Sequence, residues 1–266
     1  MFDKMVVGDS MKITKIQKMR NGKYKIELDN HETITTYDEV ILKNNILYKK
    51  ELDSELTNQI IKDTNSYDGY YKALKYITTK MRSEKEIQEY LNKYEIPMEE
   101  QEKIIQKLKE NGFLNDKRFA ASFVADKVHL SNMGPYQIRR ELEKYNIDSI
   151  VIEEQLAQYE DSIFEEKLRK MISKKIAADH KHSRYQLQQK LIQDFMNLGY
   201  EKEQIMSILD TMEFSDDTTL EREYQTLYRK LSKKYSGSDL YHHLKNKLYQ
   251  KGFSLSDIQN KIEEER

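Results

Sequence analysis

The sequence predicts a mainly α-helical protein, an elongated array of tandem three-helix repeats preceded by a small α+β module with a β-hairpin. Three observations carry that prediction. Glycine (8) and proline (2) are scarce among 266 residues, which argues against a sandwich or barrel and for long helices. Apolar residues recur in matching columns at a spacing of about 50, the mark of a repeat array. Near the N-terminus an Asn-Gly pair separates two short β-type runs, the strongest short-range hairpin signal.

In chain order, the leader MFDKMVVGDS fits poorly with the β-type pattern after it, which makes Met11 a candidate start. Ile13 and Ile16, then Tyr24, Ile26 and Leu28, carry that pattern around Asn21-Gly22. A third strand, Thr33 to Thr36, comes after a turn at Asp29-Asn30, and Tyr37 to Leu42 and Leu52 to Ile61 read as short helices. These pieces make an N-terminal module over 11–65, expected to be separable from the repeats, the first of which opens with its own helix near Tyr70.

From about Tyr67 the pattern is helical. Ser83, Gly134, Ser183 and Ser236 form one column, with successive members 51, 49 and 53 residues apart. Four residues on stand Ile87, Ile138, Leu187 and Leu240; eight residues on, Leu91, Leu142, Leu191 and Leu244. Twenty-two residues on come Ile105, Leu156, Ile205 and Ile258. Ser83 with Glu86, and Ser183 with Gln186, form S-x-x-E/Q capping boxes, while Gly134-Pro135 starts its helix with a tolerated cap and a preset first turn. Gly112-Phe113, Gly199-Tyr200 and Gly252-Phe253 place glycine where a left-handed terminator is needed, with an aromatic free to fold back on the helix it ends. Four units result, over 66–113, 114–160, 161–213 and 214–266. In the second, the helices are expected at Asp116 to Leu130, Pro135 to Tyr145 and about Ser149 to Tyr159. A unit this short buries too little apolar surface alone, so neighbours must stack.

Two passages resemble a known family. RMRSEKEIQEYLNKYEI, preceded by YYKALKYI, is similar to the first repeat of the RecX regulatory proteins, and GFLNDKRFAASFVADKVHLSNMGPYQIRRELEKYNI to their most characteristic segment. The match runs through Gly112, Leu114, Asp116, Phe119, Ala120, Phe123, Gly134, Pro135, Ile138, Leu142 and Ile147. The resemblance implies a modulator of the RecA recombinase that binds the RecA–single-stranded-DNA filament along its groove and restrains ATP hydrolysis, strand exchange and filament growth. It implies no catalytic residues and no cofactor. Short members have three repeats, so contacts cannot simply be transferred to a chain with four and an extension.

Composition narrows the alternatives. With no cysteine, disulfides, thiolate catalysis and cysteine-ligated zinc are excluded. No apolar run approaches a membrane span and no signal-peptide pattern opens the chain, so the expectation is a cytoplasmic protein with no membrane partner; a monomer is expected besides. His180/His182 and His242/His243 lack metal-ligand spacing, no phosphate-cradling glycine loop is present, and no nucleophile elbow appears; neither metal, cofactor nor enzyme activity is expected. The net charge is −1, so any basic surface must be local. From Ile163 to Leu191 eight basic residues face three acids, and the same ratio recurs from Glu221 to Lys251, whereas Glu201 to Asp217 carries six acids and one lysine. Stacked in register, the basic helices would form a stripe for a phosphate backbone or an acidic groove.

The partner-binding candidates are therefore Arg139, Arg140, Lys174, Lys175, Arg184, Lys190, Arg229, Lys233, Lys234, Lys245 and Lys247. Of the arginine pair, one should face solvent and the other pack its stem beside Ile138 and Leu142. Tyr90, Tyr94 and Tyr145 fall at core-edge spacing rather than as a base-stacking platform. Two other classes stay open: an autonomous nucleic-acid-binding protein of tri-helical units, and a helical scaffold for another protein.

Overall fold

The computed structural model describes residues 10–212, 215 and 217–265. The leader, apart from Ser10, lies outside them, as do Glu213 and Asp216 of the acidic segment. The chain divides into two compact units, residues 1–119 and 120–266.

The first unit opens with β1 (Met11–Lys18), β2 (Tyr24–Leu28) and β3 (Thr33–Thr36), an antiparallel meander completed by the two-residue β4 (Glu51–Leu52) in the order β3-β2-β1-β4. Gly22 sits at φ 84°, the left-handed turn conformation its lack of a Cβ permits, and the Asn21 side chain accepts the Lys23 N–H at 3.1 Å. Helix α1 (Asp38–Lys43) and a single 3₁₀ turn (Ile46–Tyr48) close one face of the sheet, burying Ile26, Leu28, Val40, Ile41, Ile46 and Leu52 with Ile60.

One expectation is corrected at this point. The short helix read over Leu52 to Ile61 is the start of α2 (Ser54–Thr79), a continuous helix of 26 residues. The junction expected between 65 and 66 lies inside it. Ile60 belongs to the sheet-side core, while Tyr70, Ala73 and Ile77 pack with Ile87, Leu91, Ile104, Ile105 and Leu108 of the following helices. Within the polar run between those two ends, Asp63 and Thr64 are turned inward and satisfied, while Lys62 and Asn65 face solvent. Buried Asp63 accepts hydrogen bonds from Lys43 (2.8 Å), Asn44 (3.0 Å) and Gln59 (2.8 Å), and the Thr64 hydroxyl meets Thr36 at 2.6 Å. Burial works to raise the Asp63 pKa, but Lys43 and the two amides outweigh it and hold it below the usual carboxylate range. One turn further on, Lys23 and Tyr37 both donate to Asp68, and Tyr71 donates to Glu39 at 2.7 Å.

α3 (Glu84–Asn92) and α4 (Met98–Glu110) complete the first three-helix group. Ser83 and Glu86 form the expected reciprocal capping box. Asp116, at the start of α5 (Asp116–Leu130), accepts the Glu84 N–H at 2.8 Å, and burial raises its pKa. The boundary between the compact units falls within α5.

The second unit continues with α6 (Pro135–Lys144) and α7 (Ser149–Leu156), then α8 (Asp161–Ala178), α9 (Arg184–Asn197) and α10 (Lys202–Asp210), then α11 (Asp217–Leu231), α12 (Gly237–Gln250) and α13 (Leu255–Glu264). All twelve column positions from Ile87 to Ile258 are buried. α3, α6, α9 and α12 end alike: the N–H of Ile96, Ile147, Tyr200 or Phe253 returns to the carbonyl five residues back, and the residue before it is left-handed.

Successive copies in the second unit join where one helix ends against the start of another. The Gly134 N–H donates to the Leu198 carbonyl at 2.7 Å and the Tyr136 N–H to the Gly199 carbonyl at 3.1 Å. A Cβ on Gly134 would stand 2.4 Å from the Gly199 oxygen, and one on Gly199 would stand 2.3 Å from the Gln137 nitrogen. The joint repeats one copy later: the Ser183 hydroxyl accepts from the Gln186 N–H and donates to the Lys251 carbonyl at 2.7 Å, and a Cβ on Gly252 would stand 2.8 Å from the Ser183 oxygen. Gly199 and Gly252, at φ 85° and 83°, serve both as left-handed terminators and as points of close approach, while Gly134 serves the approach alone as an N-cap.

Gly112 differs, because it ends a third helix, α4, with nothing near the position of its missing Cβ. Its neighbour Phe113 is 47% exposed rather than folded back, whereas Tyr200 and Phe253 are buried. Ser236 heads α12 with no side-chain cap bond.

Candidate basic interface

The expected arginine pair divides as its helix geometry requires. Arg140 is exposed. Arg139 is half-buried, lies over the Tyr136 ring, and grips Glu153 of α7 through Nε (2.6 Å) and Nη2 (2.9 Å), which raises its pKa and lowers that of Glu153. Arg139 is thus largely committed within its own copy.

Adjacent lysines of α8 also part company. Lys175 reaches Asp194 of α9 at 2.6 Å and lies over the Phe195 ring. Lys174, about 100° further round the helix, lines a cleft of about 500 Å³ with Ile163, Glu166, Lys167, Lys170 and Met171 of the same helix, closed by Val128 and His129 at the end of α5. Residues 163, 166/167, 170/171 and 174 recur every three to four positions and so share one helix face. The adjoining face buries Phe164, Leu168 and Ile172.

Lys167 is turned inward. Its amine donates to the carbonyls of Val128 and of Ser131 (3.0 Å), capping the C-terminal end of α5, and burial lowers its pKa. Lys170 stands 3.7 Å from Glu166 in a highly exposed pair of the kind that contributes little.

The remaining candidates are distributed over three places. Arg184 and Lys190 are exposed on α9. Arg229 is exposed on α11, its Nε donating to the Gln225 carbonyl, and Lys233 and Lys234 are exposed just beyond that helix. On α12, Lys247 is exposed and Lys245 half-buried. The structure therefore gathers Lys174 with Lys167 and Lys170, and ties Lys175 and Arg139 to acids of their own copies. Ile163, Met171 and His129 are cleft residues that charge counting passed over; the signal for the first two was the three-to-four spacing along α8.

The tyrosines behave as core edges. Tyr76 of α2 stacks on Tyr90 of α3 at 4.1 Å with its other side against the Arg82 guanidinium, and Tyr94 carries the Lys72 amine over its ring. Most of these ring faces are already occupied. Among the described residues no His, Asp and Glu group is arranged to hold a metal ion, and no helix is long and apolar enough to cross a membrane.

Comparison with known proteins places this arrangement. Residues 70–108 match the first three-helix domain of RecX and residues 115–156 the second. "Regulatory protein RecX" of Oceanobacillus iheyensis is 31% identical over 258 residues, spanning 93% of this chain and 95% of that one. The chain belongs to the RecX family. RecX of Streptococcus gordonii is 30% identical, with 93% and 97% of the two chains covered. A crystal structure of regulatory protein RecX covers 75% of this chain and 99% of its own at 26% identity and TM-score 0.70. That of RecX from Lactobacillus salivarius covers 55% and 97% at 29% identity and TM-score 0.51. Family membership gives the D-x-x-F-A and G-P-x-x-I-x-x-x-L segments a structural meaning: Asp116 holds a helix-end N–H, Phe119 and Ala120 are buried, and Gly134 admits the end of α9.

Proposed function

We propose that this RecX-family chain binds the RecA–single-stranded-DNA filament and restrains its ATP hydrolysis, strand exchange and growth. It acts in the cytoplasm as a monomer, by binding rather than by catalysing a reaction of its own. The observation that supports this reading is the set of exposed cations on and beside α8, α9, α11 and α12, in a chain of the RecX family whose net charge is only −1. A local basic surface on a near-neutral protein suits a polyanionic polymer without general stickiness to nucleic acid. Regulation then arises from differential affinity: a protein that binds one filament state more tightly opposes the subunit movements turnover requires.

The test is co-sedimentation with RecA–single-stranded-DNA filaments, bare single-stranded DNA and RecA without DNA, beside filament ATP hydrolysis. Clear preference for the filament, weakening as salt is raised, is expected. Lys174, Lys190, Lys233 and Lys234 are exposed, so changing all four to Glu should alter stability by about 0.5 kcal/mol or less per site while abolishing retention and inhibition. Equal retention on bare DNA would favour an autonomous nucleic-acid-binding protein instead.

A further inference from the structure

We infer that the cleft along α8 is a docking groove for an acidic, amphipathic segment of a partner protein. The cleft leaves both charge and apolar surface unmatched. Its lining contains three lysines against one glutamate, together with the apolar side chains of Val128, Ile163 and Met171. The Lys167 charge is spent at the C-terminal end of α5, where helix carbonyls carry partial negative charge. Lys170 has only its loose, solvated contact with Glu166, and Lys174 has no ion-pair partner among the described residues. The groove thus offers positive charge directly beside apolar surface, with Ile163 still 39% exposed.

That pairing discriminates between classes of partner. A phosphate backbone would use Lys170 and Lys174 but gain nothing from Ile163 and Met171. Unpaired bases need open aromatic faces, and the one ring in the lining, His129, is engaged edge-on with Tyr159. A helical protein segment matches both features, setting apolar anchors on Ile163 and the adaptable thioether of Met171 while its carboxylates meet the lysines. The inference rests on the filament reading for where such a segment would be found; its chemistry is read from the cleft alone.

The experiment uses the full chain and two fluorescein-labelled probes, a helical peptide carrying leucines and glutamates on one face and an oligothymidylate. Fluorescence anisotropy should show peptide binding that weakens about tenfold in Lys170→Gln/Lys174→Gln and by a similar factor in Ile163→Asn/Met171→Asn. Oligothymidylate binding should be indifferent to the apolar pair. Melting curves check that both double variants fold, as substitutions at partly exposed positions should allow. Absence of peptide binding, or peptide binding untouched by either double variant, overturns the inference. So does an oligothymidylate signal lost with the lysines while the peptide is ignored, or a dimer in sedimentation that the lysine variant dissolves. Filament co-sedimentation of the wild type, measured separately, decides the filament reading whichever way the groove behaves.

Discussion

The molecule joins its parts in two different ways, one in each compact unit. In the first, a β-module and a three-helix group share a single helix, α2, whose two ends serve two cores. In the second, successive helical copies meet where a left-handed glycine presses against the helix start of the copy before it, at Gly199 on Gly134 and at Gly252 on Ser183. The first joint is covalent and stiff over its length, and buried polar side chains hold it. The second is a close approach of main chain to a helix start, backbone on backbone at Gly199 and backbone on the Ser183 hydroxyl at Gly252. The contrast teaches that neighbouring modules can be coupled by continuity or by complementarity, and that each fails to a different mutation.

The largest effect should come from cutting the continuous joint. A truncation beginning at Ser66 removes the sheet-side end of α2 with Asp63 and Thr64, and strips Asp68 of its partners Lys23 and Tyr37. Hydrogen exchange across 70–110 should then accelerate strongly, with roughly 5 kcal/mol or more of local stability lost. Protection matching the full chain would mean that the module is a passenger, separable as its local strand pairing suggests.

Next, the glycine joint can be broken selectively. Gly199→Ala combines φ 85° with a Cβ placed 2.3 Å from backbone, and should cost roughly 4 kcal/mol. Gly112→Ala, at φ 71° but in open space, should cost only about 1 kcal/mol. Urea melts of the two variants compare complementarity with conformation alone; equal losses would reduce the joint to an ordinary helix terminator.

Leu142→Ala and Leu191→Ala empty equivalent fully packed sites in adjacent copies and should each cost about 3 kcal/mol. Because copies share interfaces, protection should fall beyond the altered copy. Loss confined to one copy would show that the joints transmit little.

The smallest effect concerns the turn between α8 and α9. Asp179 accepts the backbone N–H groups of Lys181 and His182, both at 2.9 Å, and lies 2.7 Å from the His182 ring. Burial alone would raise its pKa, but these donors hold it down at about 2. A depressed carboxylate contributes stability above its unfolded pKa of about 4 and loses it as pH falls toward 2. Asp179→Ala should therefore cost about 1 kcal/mol at neutral pH, and the difference from wild type should shrink below pH ~4. A gap that persists at low pH would assign the effect to packing instead of charge.

These joints also explain which features are legible in the sequence. Period, caps and terminators are local, so the four columns and the helices of the second copy are readable to within a few residues of Asp116–Leu130, Pro135–Lys144 and Ser149–Leu156. The continuity of α2 is hidden by Lys62-Asp63-Thr64-Asn65-Ser66 followed by Gly69, which reads as a loop. Asp63 and Thr64 face inward to partners many residues away, and Gly69 is small because Ile96 and Ile104 approach where its Cβ would be, at 2.7 and 2.8 Å. Neither fact has a local signature. Charge counting likewise found the basic helices but could not tell Lys174 from Lys175, since their different fates depend on Asp194 of the next helix.

The backbone joints have a consequence for how such a protein can change over time. Such a joint constrains a glycine and a cap residue, and asks nothing of the outward-facing side chains around it. Surface chemistry on each copy can therefore drift, acquire charge or lose it, without disturbing how copies seat on one another. Relatives that stack identically are free to present different outer faces, and so to be retuned to different partners one copy at a time.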